Sequence, residues 1–353
     1  MLAWRVHDFG EPRDVFVLED IEPPTAADLD GLGMDLSGWV PLVPGAAPFT
    51  DWVLMDVTVA ALALPDVTMA RGTYPVPVRR PYVSGQEAVG IVSAAAPGRE
   101  HLIGKRVVAV TIQPFGGLAP LSVGVSQLFE VPQQLSDEEA AGFLIAAHTA
   151  YHAVIRRGAV QAGETDAILG AAGGVGSAAV QLCAAAGCDV IAIVGSEEKA
   201  AFCMALGARA AVDHSQADDG DFSALVRLAT GGRGVDVVVD PVQGEMGALA
   251  QQLLLPNGRH VLCGHAGGLQ PIDPHFYMYN RTLVGATLGS YPRDEMRRIH
   301  EETHTALVGL LEAGRFRPQV TQSVAFADVP AALTELAARR TMGRVVVRVQ
   351  DVM

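Results

Sequence analysis

A glycine-rich segment, GAAGGVG at residues 170–176, constrains the fold of this chain more than any other feature. It follows an apolar run typical of a strand and opens a run typical of a helix. In that context glycines allow a tight turn and close approach of the backbone to a pyrophosphate. Read as G-x-G-x-x-G, the motif lacks a glycine at Ala171; read as G-x-x-G-x-x-G, it is complete. We therefore expect a dinucleotide site at Gly170, Gly173, Gly174, Val175 and Gly176, on the helix N-terminus.

The rest of the chain has two regions with different residue patterns. The first 130 or so residues are short apolar runs separated by Gly and Pro, which predicts a mostly β domain. From Ser136 onward, strand-like runs alternate with helical ones, which predicts βαβ units and a parallel sheet. Ser136 and Glu139 form a capping-box pattern for a helix through Ala140–Ala150. The fold class is α/β, with a doubly wound nucleotide domain at 135–288 and a second domain at 1–134 and 289–353.

The second strand of the nucleotide domain indicates which dinucleotide binds. NAD sites usually carry an acidic residue about 20 residues after the glycines, to hold the ribose 2′-hydroxyl. Here Val190–Val194 is followed by Gly195 and Ser196, with Lys199 just beyond. Ser196 can donate to a 2′-phosphate and Lys199 can neutralise it, whereas Glu197 and Glu198 are expected to face solvent at a helix start. The pattern favours NADPH. Lys199 can also be read as an ordinary exposed helix lysine.

Charge and hydropathy exclude other partners. The chain has 25 basic and 39 acidic residues, a net charge of −14, which disfavours binding to nucleic acid or to an anionic membrane. The uncharged stretch Ala167–Cys188 is long enough to cross a bilayer, but its glycines indicate a strand–turn–helix instead. The four cysteines contain no C-x-x-C pair and Met1–Pro12 has no apolar run, so we expect reduced thiols and a cytoplasmic location.

Several segments together resemble the medium-chain dehydrogenase/reductase superfamily, in its zinc-free quinone oxidoreductase and enoyl reductase branch. The resemblance covers nearly the whole chain and implies a GroES-like β domain beside the Rossmann nucleotide domain. It also implies a homodimer or homotetramer built through the nucleotide-domain sheet. The segments that carry it are GTYP at 72–75, SGQEAVG at 84–90, HTAY at 148–151, the glycine loop, GVDVVVD at 234–240 and GRVVV at 343–347.

The resemblance also implies roles for single residues. Thr149 is expected near the nicotinamide, and Gly264 and His265 are expected to line the ring pocket. His214 replaces a Tyr that often stacks near the adenosine phosphate. Two further candidates for cofactor contacts are Leu288, at the end of the last predicted strand of the nucleotide domain, and Arg344, in the final strand.

Zinc-dependent relatives differ from this chain at the positions that bind metal. Their first domain carries a Cys ligand and a Gly-His-Glu segment, whereas here the first domain has no cysteine and Gln86 stands at the His position. The three protein ligands of a catalytic zinc cannot be assembled, so we expect no metal. An apparent insertion at Asp28–Asp51 is expected to cover the cleft or an oligomer contact, or to be a surface excursion that packs Trp39 and Trp52.

Without a metal, hydride transfer to a small conjugated substrate requires stabilisation of oxygen charge and protonation of carbon. Tyr74 is the candidate catalytic residue, because the Tyr of a matching Gly-x-Tyr-Pro segment is the proposed proton donor in enoyl thioester reductases. The other interpretation is that Tyr74 only forms a wall of a quinone pocket. Ala63 replaces an Asn of many relatives. Three arginines could hold CoA phosphates: Arg71, Arg79 and Arg80.

Two other functional classes remain open from the sequence. His300 and His304 form the H-E-x-x-H pattern of zinc proteases, on a polar helix without an evident third ligand. A non-catalytic NADPH-binding sensor or structural protein would keep the same glycine fingerprint. Zinc analysis would distinguish the protease, and NADPH turnover would distinguish the sensor.

Overall fold

The computed structural model describes residues 1–26, 29, 51–74, 78–217 and 221–350. Most of the insertion noted above, residues 30–50 with Trp39, lies outside the described residues. The chain forms two compact units. The first unit comprises Met1–Ile145, Gly289–Glu301 and the chain from Val320 onward, and the second comprises Ala146–Leu288 and Glu302–Gln319. The first boundary falls after Ile145, 11 residues later than the expected boundary after residue 134.

The first unit is built on β structure, as its Gly- and Pro-punctuated apolar runs predict. Strands β14, β15, β3, β5, β6 and β7 form one sheet in that order, and β3 also pairs with β7, which closes part of the sheet on itself. Strands β2, β1 and β4 form a separate antiparallel sheet. The elements are β1 (Leu2–Val6), α1 (Pro12–Val15), β2 (Phe16–Asp20), β3 (Trp52–Leu62), α2 (Leu64–Ala70), β4 (Tyr82–Val83), β5 (Glu87–Ala95), β6 (Arg106–Thr111), β7 (Leu121–Glu130), α3 (Asp137–Ala141), β14 (Val320–Ala325), α10 (Val329–Ala337) and β15 (Arg344–Arg348).

The second unit is a six-stranded parallel sheet with the order β10-β9-β8-β11-β12-β13. The order reverses between β8 and β11, and ligands of doubly wound sheets bind at the carboxyl ends of strands at such a point. The elements are α4 (Leu144–Tyr151), a π-helix (His152–Arg157), β8 (Thr165–Leu169), α5 (Gly174–Ala186), β9 (Asp189–Val194), α6 (Glu197–Ala205), β10 (Ala210–Asp213), α7 (Ser223–Ala229), β11 (Val235–Asp240), α8 (Gly244–Gln251), β12 (Leu254–Leu262), β13 (Thr282–Gly285) and α9 (Arg293–Glu312). Helices α4 and α9 both begin in the first unit and end in the second.

Each unit has its own apolar core, and the strand patterns explain why. In the second unit the central strands are buried on both faces, and β11 and β9 are near-continuous Val and Ile runs, as expected of parallel strands covered by helices. The core of the first unit includes Tyr82 and Met69, both almost completely buried.

The capping box at Ser136 forms as predicted, but the helix that follows it is shorter than expected. Ser136 Oγ accepts from Glu139 N at 3.2 Å, and Glu139 Oε2 accepts from Ser136 N at 3.0 Å. The prediction of one helix through Ala140–Ala150 was wrong, because α3 ends at Ala141, with Gly142 as its C-cap, and α4 starts at Leu144. The break allows the buried carboxylate of Glu87 to accept hydrogen bonds from the first N–H groups of α4.

None of the described helices is long and apolar enough to cross a membrane. The uncharged stretch from residue 167 to residue 188 is divided between β8, the glycine loop and α5.

Candidate active site

The glycine loop joins β8 to α5, and its backbone geometry requires glycine at two positions. Gly170 has a φ of +55°, in the left-handed region that disfavours side chains. A Cβ at Gly176 would lie 2.2 Å from the Gly170 carbonyl oxygen. Gly173 is the N-cap of α5, and its N–H donates to Gly170 O at 2.9 Å. The close approach of Gly176 to Gly170 supports the G-x-x-G-x-x-G reading of the motif.

The N-terminus of α5 has the character of an anion site. No side chain among the described residues caps the helix at Gly173, so the N–H groups of its first turn, from Gly174 and Val175 onward, are not occupied by a cap. The first N–H groups of a helix have no intrahelical acceptor and carry partial positive charge. The loop can therefore hold a pyrophosphate through backbone groups alone.

The residues assigned to the 2′-phosphate lie together at the ends of β9 and β10. Ser196 is the N-cap of α6, and its Oγ accepts from Lys199 N at 3.3 Å, which leaves its hydroxyl hydrogen able to donate. The imidazole of His214 lies close to Gly195, as shown by a Cβ added to Gly195, which would be 3.2 Å from His214 Nε2. Glu197 and Glu198 are exposed, as expected. The roles of Ser196, Lys199 and His214 remain predictions.

The loops that follow β11 and β12 are bonded to each other. Gly267 N donates to Val242 O at 2.6 Å, and a Cβ at Gly264 would lie 2.5 Å from the Pro241 carbonyl oxygen. The packing of the two loops therefore requires glycine at position 264, independently of any ligand. His265 follows it in the same loop and is half-buried.

A buried carboxylate holds this double loop in place. Asp240, the last residue of β11, accepts from Val242 N at 2.8 Å and from Gln243 N at 2.6 Å through Oδ1. Its Oδ2 lies 2.8 Å from His260 Nε2. Gln243 has a φ of +55°, a conformation that costs energy in a non-glycine residue, and its Nε2 donates to the Gly264 carbonyl.

Thr149, the residue expected near the nicotinamide, lies on α4 in the second unit. Its side chain is half-buried, whereas its helix neighbours His148 and Ala150 are fully buried. Among these three residues Thr149 is therefore the one with an accessible polar group. Its contact with the cofactor remains a prediction.

Tyr74 follows α2 in the first unit, close to a buried carboxylate. Burial raises the pKa of Tyr74, and the charge of Asp66 raises it further, so the phenol is neutral and can donate. Asp66 is fully buried and accepts from Ala63 N at 2.9 Å, Ser84 Oγ at 2.8 Å and Gly85 N at 2.9 Å. Burial raises the pKa of Asp66 as well, against those three hydrogen bonds.

Arg344 and Leu288 are placed differently from the other candidates. The guanidinium of Arg344 is buried in the first unit, with Nη2 3.0 Å from Glu87 Oε2, so its charge already has a carboxylate partner. The expected strand through Leu288 was too long, because β13 ends at Gly285 and Leu288 begins a short 3₁₀ turn. Their roles at the cofactor stay predictions.

The arginines considered for CoA phosphates are engaged within the first unit. Arg71 forms two hydrogen bonds with the carboxylate of Glu11, at 2.9 and 2.8 Å. The guanidinium of Arg80 lies 3.8 Å from the centre of the Phe9 ring and 3.7 Å from Asp8 Oδ1. A phosphate would have to compete with these carboxylates.

Comparison with known proteins places the chain in a family. Residues 50–128 match the alcohol dehydrogenase GroES-like domain, and residues 174–304 match the zinc-binding dehydrogenase family. A quinone oxidoreductase from Thermus thermophilus, solved alone and with NADPH, is 30% identical with a TM-score of 0.77, over 99% of this chain and 100% of that one. The chain belongs to the medium-chain dehydrogenase/reductase superfamily.

Two other similar proteins differ in how much of their own length this chain matches. A mycobacterial protein solved with NADPH is 26% identical, with a TM-score of 0.82 over 99% of both chains. A highly reducing polyketide synthase from Arthrinium phaeospermum is 29% identical over 96% of this chain, which corresponds to only 14% of that synthase. The first unit is thus a GroES-like domain and the second a Rossmann domain, as the sequence predicted.

Two of these similar structures were solved with NADPH, and the second unit of this chain has features that suit such a dinucleotide. In the glycine loop a Cβ at Gly176 would collide with the Gly170 carbonyl oxygen, so glycine at this position lets the first turn of α5 pack directly against the loop. Ser196 and His214 lie at the ends of the next two strands, and the carboxylate that would bind a 2′-hydroxyl is replaced by Ser196.

The name of the second matched family refers to zinc, but the described residues do not assemble a zinc site. They contain no group of three or more His, Cys, Asp or Glu side chains that could hold a metal ion. The two histidines of the H-E-x-x-H pattern lie on α9. His304 Nδ1 is 3.3 Å from His148 Nε2, and burial lowers the pKa of His304 to about 4. In the described part of the chain, His304 of this motif is therefore packed against His148 of α4.

Sequence reasoning missed the network around Asp240. Asp240 was part of the GVDVVVD segment, but no role was assigned to it, to His260 or to Gln243. One signal was available, because an acidic residue that ends a buried apolar strand lies at the carboxyl edge of a parallel sheet, where ligands bind. The partner, His260, gave no signal, since it is simply one residue of the next strand.

Proposed function

We propose that this chain transfers hydride from NADPH to a conjugated carbonyl compound, a quinone or an enone, without a metal. The observation that carries the proposal is Tyr74, a neutral phenol beside buried Asp66 in the first unit. When bound, NADPH supplies the hydride. Hydride addition to a conjugated carbonyl moves the electron pair of the double bond onto oxygen, so the product needs a hydrogen-bond donor and a proton.

Tyr74 can provide that proton. A tyrosine hydroxyl is protonated at neutral pH, and the raised pKa of Tyr74 does not change this; the hydroxyl can donate its hydrogen to the strongly basic reduced product, after which water restores it. Asp66 does not replace Tyr74 as the acid, because its carboxylate oxygens accept hydrogen bonds from Ala63, Ser84 and Gly85. Tyr74→Phe is therefore expected to lower turnover and to leave NADPH binding unchanged.

Between the two acceptor classes, the described contacts favour a quinone or a small enone over a CoA thioester. The charges of Arg71 and Arg80 are paired with Glu11 and Asp8, which reduces their capacity to bind CoA phosphates. Quinone oxidoreductases are among the solved relatives that span the whole chain. The similarity to highly reducing polyketide synthases, together with the enoyl reductase resemblance of the sequence, keeps the thioester alternative open.

The test is NADPH oxidation by purified, EDTA-treated protein, with 1,4-naphthoquinone and crotonyl-CoA in parallel assays. We expect turnover of the quinone that survives EDTA. Turnover of crotonyl-CoA alone would show that the thioester class is the right one and that Tyr74 should be examined as its proton donor. Loss of activity with EDTA, restored by zinc, or no turnover of either acceptor would contradict the proposal.

A further inference from the structure

Gln243, in the loop that follows β11, has a backbone conformation that few residues other than glycine adopt. Its φ is +55° and its ψ is −148°, close to a region that is essentially restricted to glycine. Residues with such strain persist where their surroundings hold them, and they cluster at functional sites. Here Asp240 holds the backbone, because its Oδ1 accepts from Gln243 N at 2.6 Å. Glycine would fit this backbone without the strain, so what glutamine adds is its side chain.

The side chain of Gln243 connects two loops. Its Nε2 donates to the carbonyl of Gly264, in the loop that follows β12. The same two loops are joined through their backbones, since Gly267 N donates to Val242 O at 2.6 Å. Gly264 has no side chain, so a contact that fixes its peptide must come from a neighbour, and Gln243 supplies one.

The double loop formed by these two segments lies beside the glycine loop. A Cβ added to Gly170 would be 3.0 Å from Cγ2 of Val242, the residue before Gln243. The glycine loop follows β8 and Val242 follows β11, and these two strands are adjacent and parallel. The double loop is therefore at the carboxyl edge of the sheet where the strand order reverses, next to the loop that suits a pyrophosphate.

The order of the strands indicates which half of a dinucleotide meets the double loop. In doubly wound sheets the dinucleotide lies across the point of reversal, and its adenosine ribose is at the end of the strand that follows the first helix. That strand is β9, on one side of β8, whereas β11 and β12 are on the other side. The nicotinamide half is therefore the one that faces the loops after β11 and β12.

We propose that Gln243 is a positioning residue for the nicotinamide half of NADPH. Its hydrogen bond holds the Gly264 peptide, and with it the loop that follows β12, in place before the cofactor binds, so that binding does not have to order this loop. The inference rests on the proposed function for the identity of the hydride donor, and not for the acceptor. It also explains why a strained backbone is kept, since glycine at position 243 would remove the strain and the hydrogen bond together.

Two variants separate the hydrogen bond from the strain. Gln243→Met keeps the length of the side chain and the strained backbone but removes the donor, whereas Gln243→Gly removes both the donor and the strain. We expect the Kd of NADPH, measured by fluorescence titration, to rise roughly 3- to 10-fold in both, because one organising hydrogen bond is lost. Gln243→Gly should melt at a higher temperature than Gln243→Met and yet bind NADPH no better, so a loss of stability would not account for the loss of affinity.

A fragment of the cofactor tests which half is affected. 2′,5′-ADP carries the adenosine half with its 2′-phosphate and lacks the nicotinamide. Its Kd should be the same for the wild type, Gln243→Met and Gln243→Gly. Equal losses of affinity for NADPH and for 2′,5′-ADP would overturn the assignment to the nicotinamide half.

Two exposed residues of the second unit supply the matched controls. Gln252→Met makes the same replacement directly after α8, and Asn257→Gly removes a positive φ of +66° in the first half of β12. Both should bind NADPH as the wild type does. A Kd of NADPH within twofold of wild type for both variants of Gln243 would overturn the inference. Wild-type protein that binds NADPH but reduces neither acceptor would contradict the proposed function alone, and wild-type protein that does not bind NADPH would overturn both.

Discussion

His260 Nε2 lies 2.8 Å from Asp240 Oδ2, and both side chains are fully buried. The two residues are neighbours across the β11–β12 pair, where Val238 is opposite His260. His260 Nδ1 is buried without a hydrogen-bond partner among the described residues, so the ring is held by Asp240 alone. Because Asp240 also binds two N–H groups of the loop that contacts Gly264, this pair links the core of the Rossmann domain to the loops that follow β11 and β12.

Replacement of Asp240 should therefore affect both stability and cofactor binding. We expect Asp240→Ala to lower the free energy of unfolding by roughly 2–4 kcal/mol, since it leaves buried donors without an acceptor. Asp240→Asn keeps one acceptor oxygen for Val242 and Gln243, and should lose less. Urea denaturation gives the stability and fluorescence titration gives the Kd of NADPH. An Asp240→Ala protein as stable as Asp240→Asn would show that the hydrogen bonds are not the cause.

Asp166 should make stability depend on pH. It is fully buried on β8, and burial raises its pKa to about 6, against smaller opposing effects of the Cys188 and Cys183 thiols. Because the folded-state pKa lies above the unfolded value, the folded state favours the protonated form. The contribution of Asp166 to the free energy of unfolding is therefore most favourable below its unfolded-state pKa, near pH 4, and is lost as the pH rises through about 6.

The variant that tests this is Asp166→Asn, which cannot ionise. At pH 8 we expect it to be more stable than wild type by roughly 1–3 kcal/mol, a gain that disappears near pH 4. Chemical denaturation at pH 4, 6 and 8 provides the comparison. Equal stability differences at all three pH values would mean that ionisation of Asp166 is not responsible.

The sequence alone predicted the features that are local in the chain. Three such features are the glycine loop, the capping box at Ser136 and the alternation of strands and helices. Each depends on residues close in sequence, so local backbone geometry is enough to predict it. The break at Gly142 was missed because the carboxylate that favours it belongs to Glu87, on a distant strand.

Pairs between distant residues could not be predicted in the same way. Arg344 and Glu87 are 257 residues apart, and Asp240 and His260 meet only because β11 and β12 are adjacent with one particular register. Nothing in one sequence specifies that register.

The choice of NADPH over NADH should depend on Ser196, and the N-cap geometry offers a clean test. Aspartate is as good an N-cap as serine, so Ser196→Asp keeps the hydrogen bond from Lys199 N and should leave stability unchanged. Its charge would repel a 2′-phosphate and accept from a 2′-hydroxyl. We expect the Kd of NADPH to rise at least roughly 10-fold and that of NADH to fall. If both cofactors bind the variant as they bind wild type, the 2′-phosphate lies elsewhere.

Self-association through the Rossmann sheet is the last prediction. Strand β13 is at the edge of the six-stranded sheet, and the segment before it exposes large apolar side chains, with Tyr277 78% and Met278 60% exposed. An unpaired strand edge beside exposed apolar surface favours pairing with a second copy. Light scattering should therefore give a mass at least twice that of the chain for the wild type.

Met278→Glu should give the single-chain mass without loss of fold, because the side chain is exposed. Leu228→Glu is the matched control, since Leu228 is 80% exposed on α7, and it should remain associated. A single-chain mass for the wild type would refute the prediction, and dissociation by both variants would show that the added charge, and not the edge of β13, is responsible.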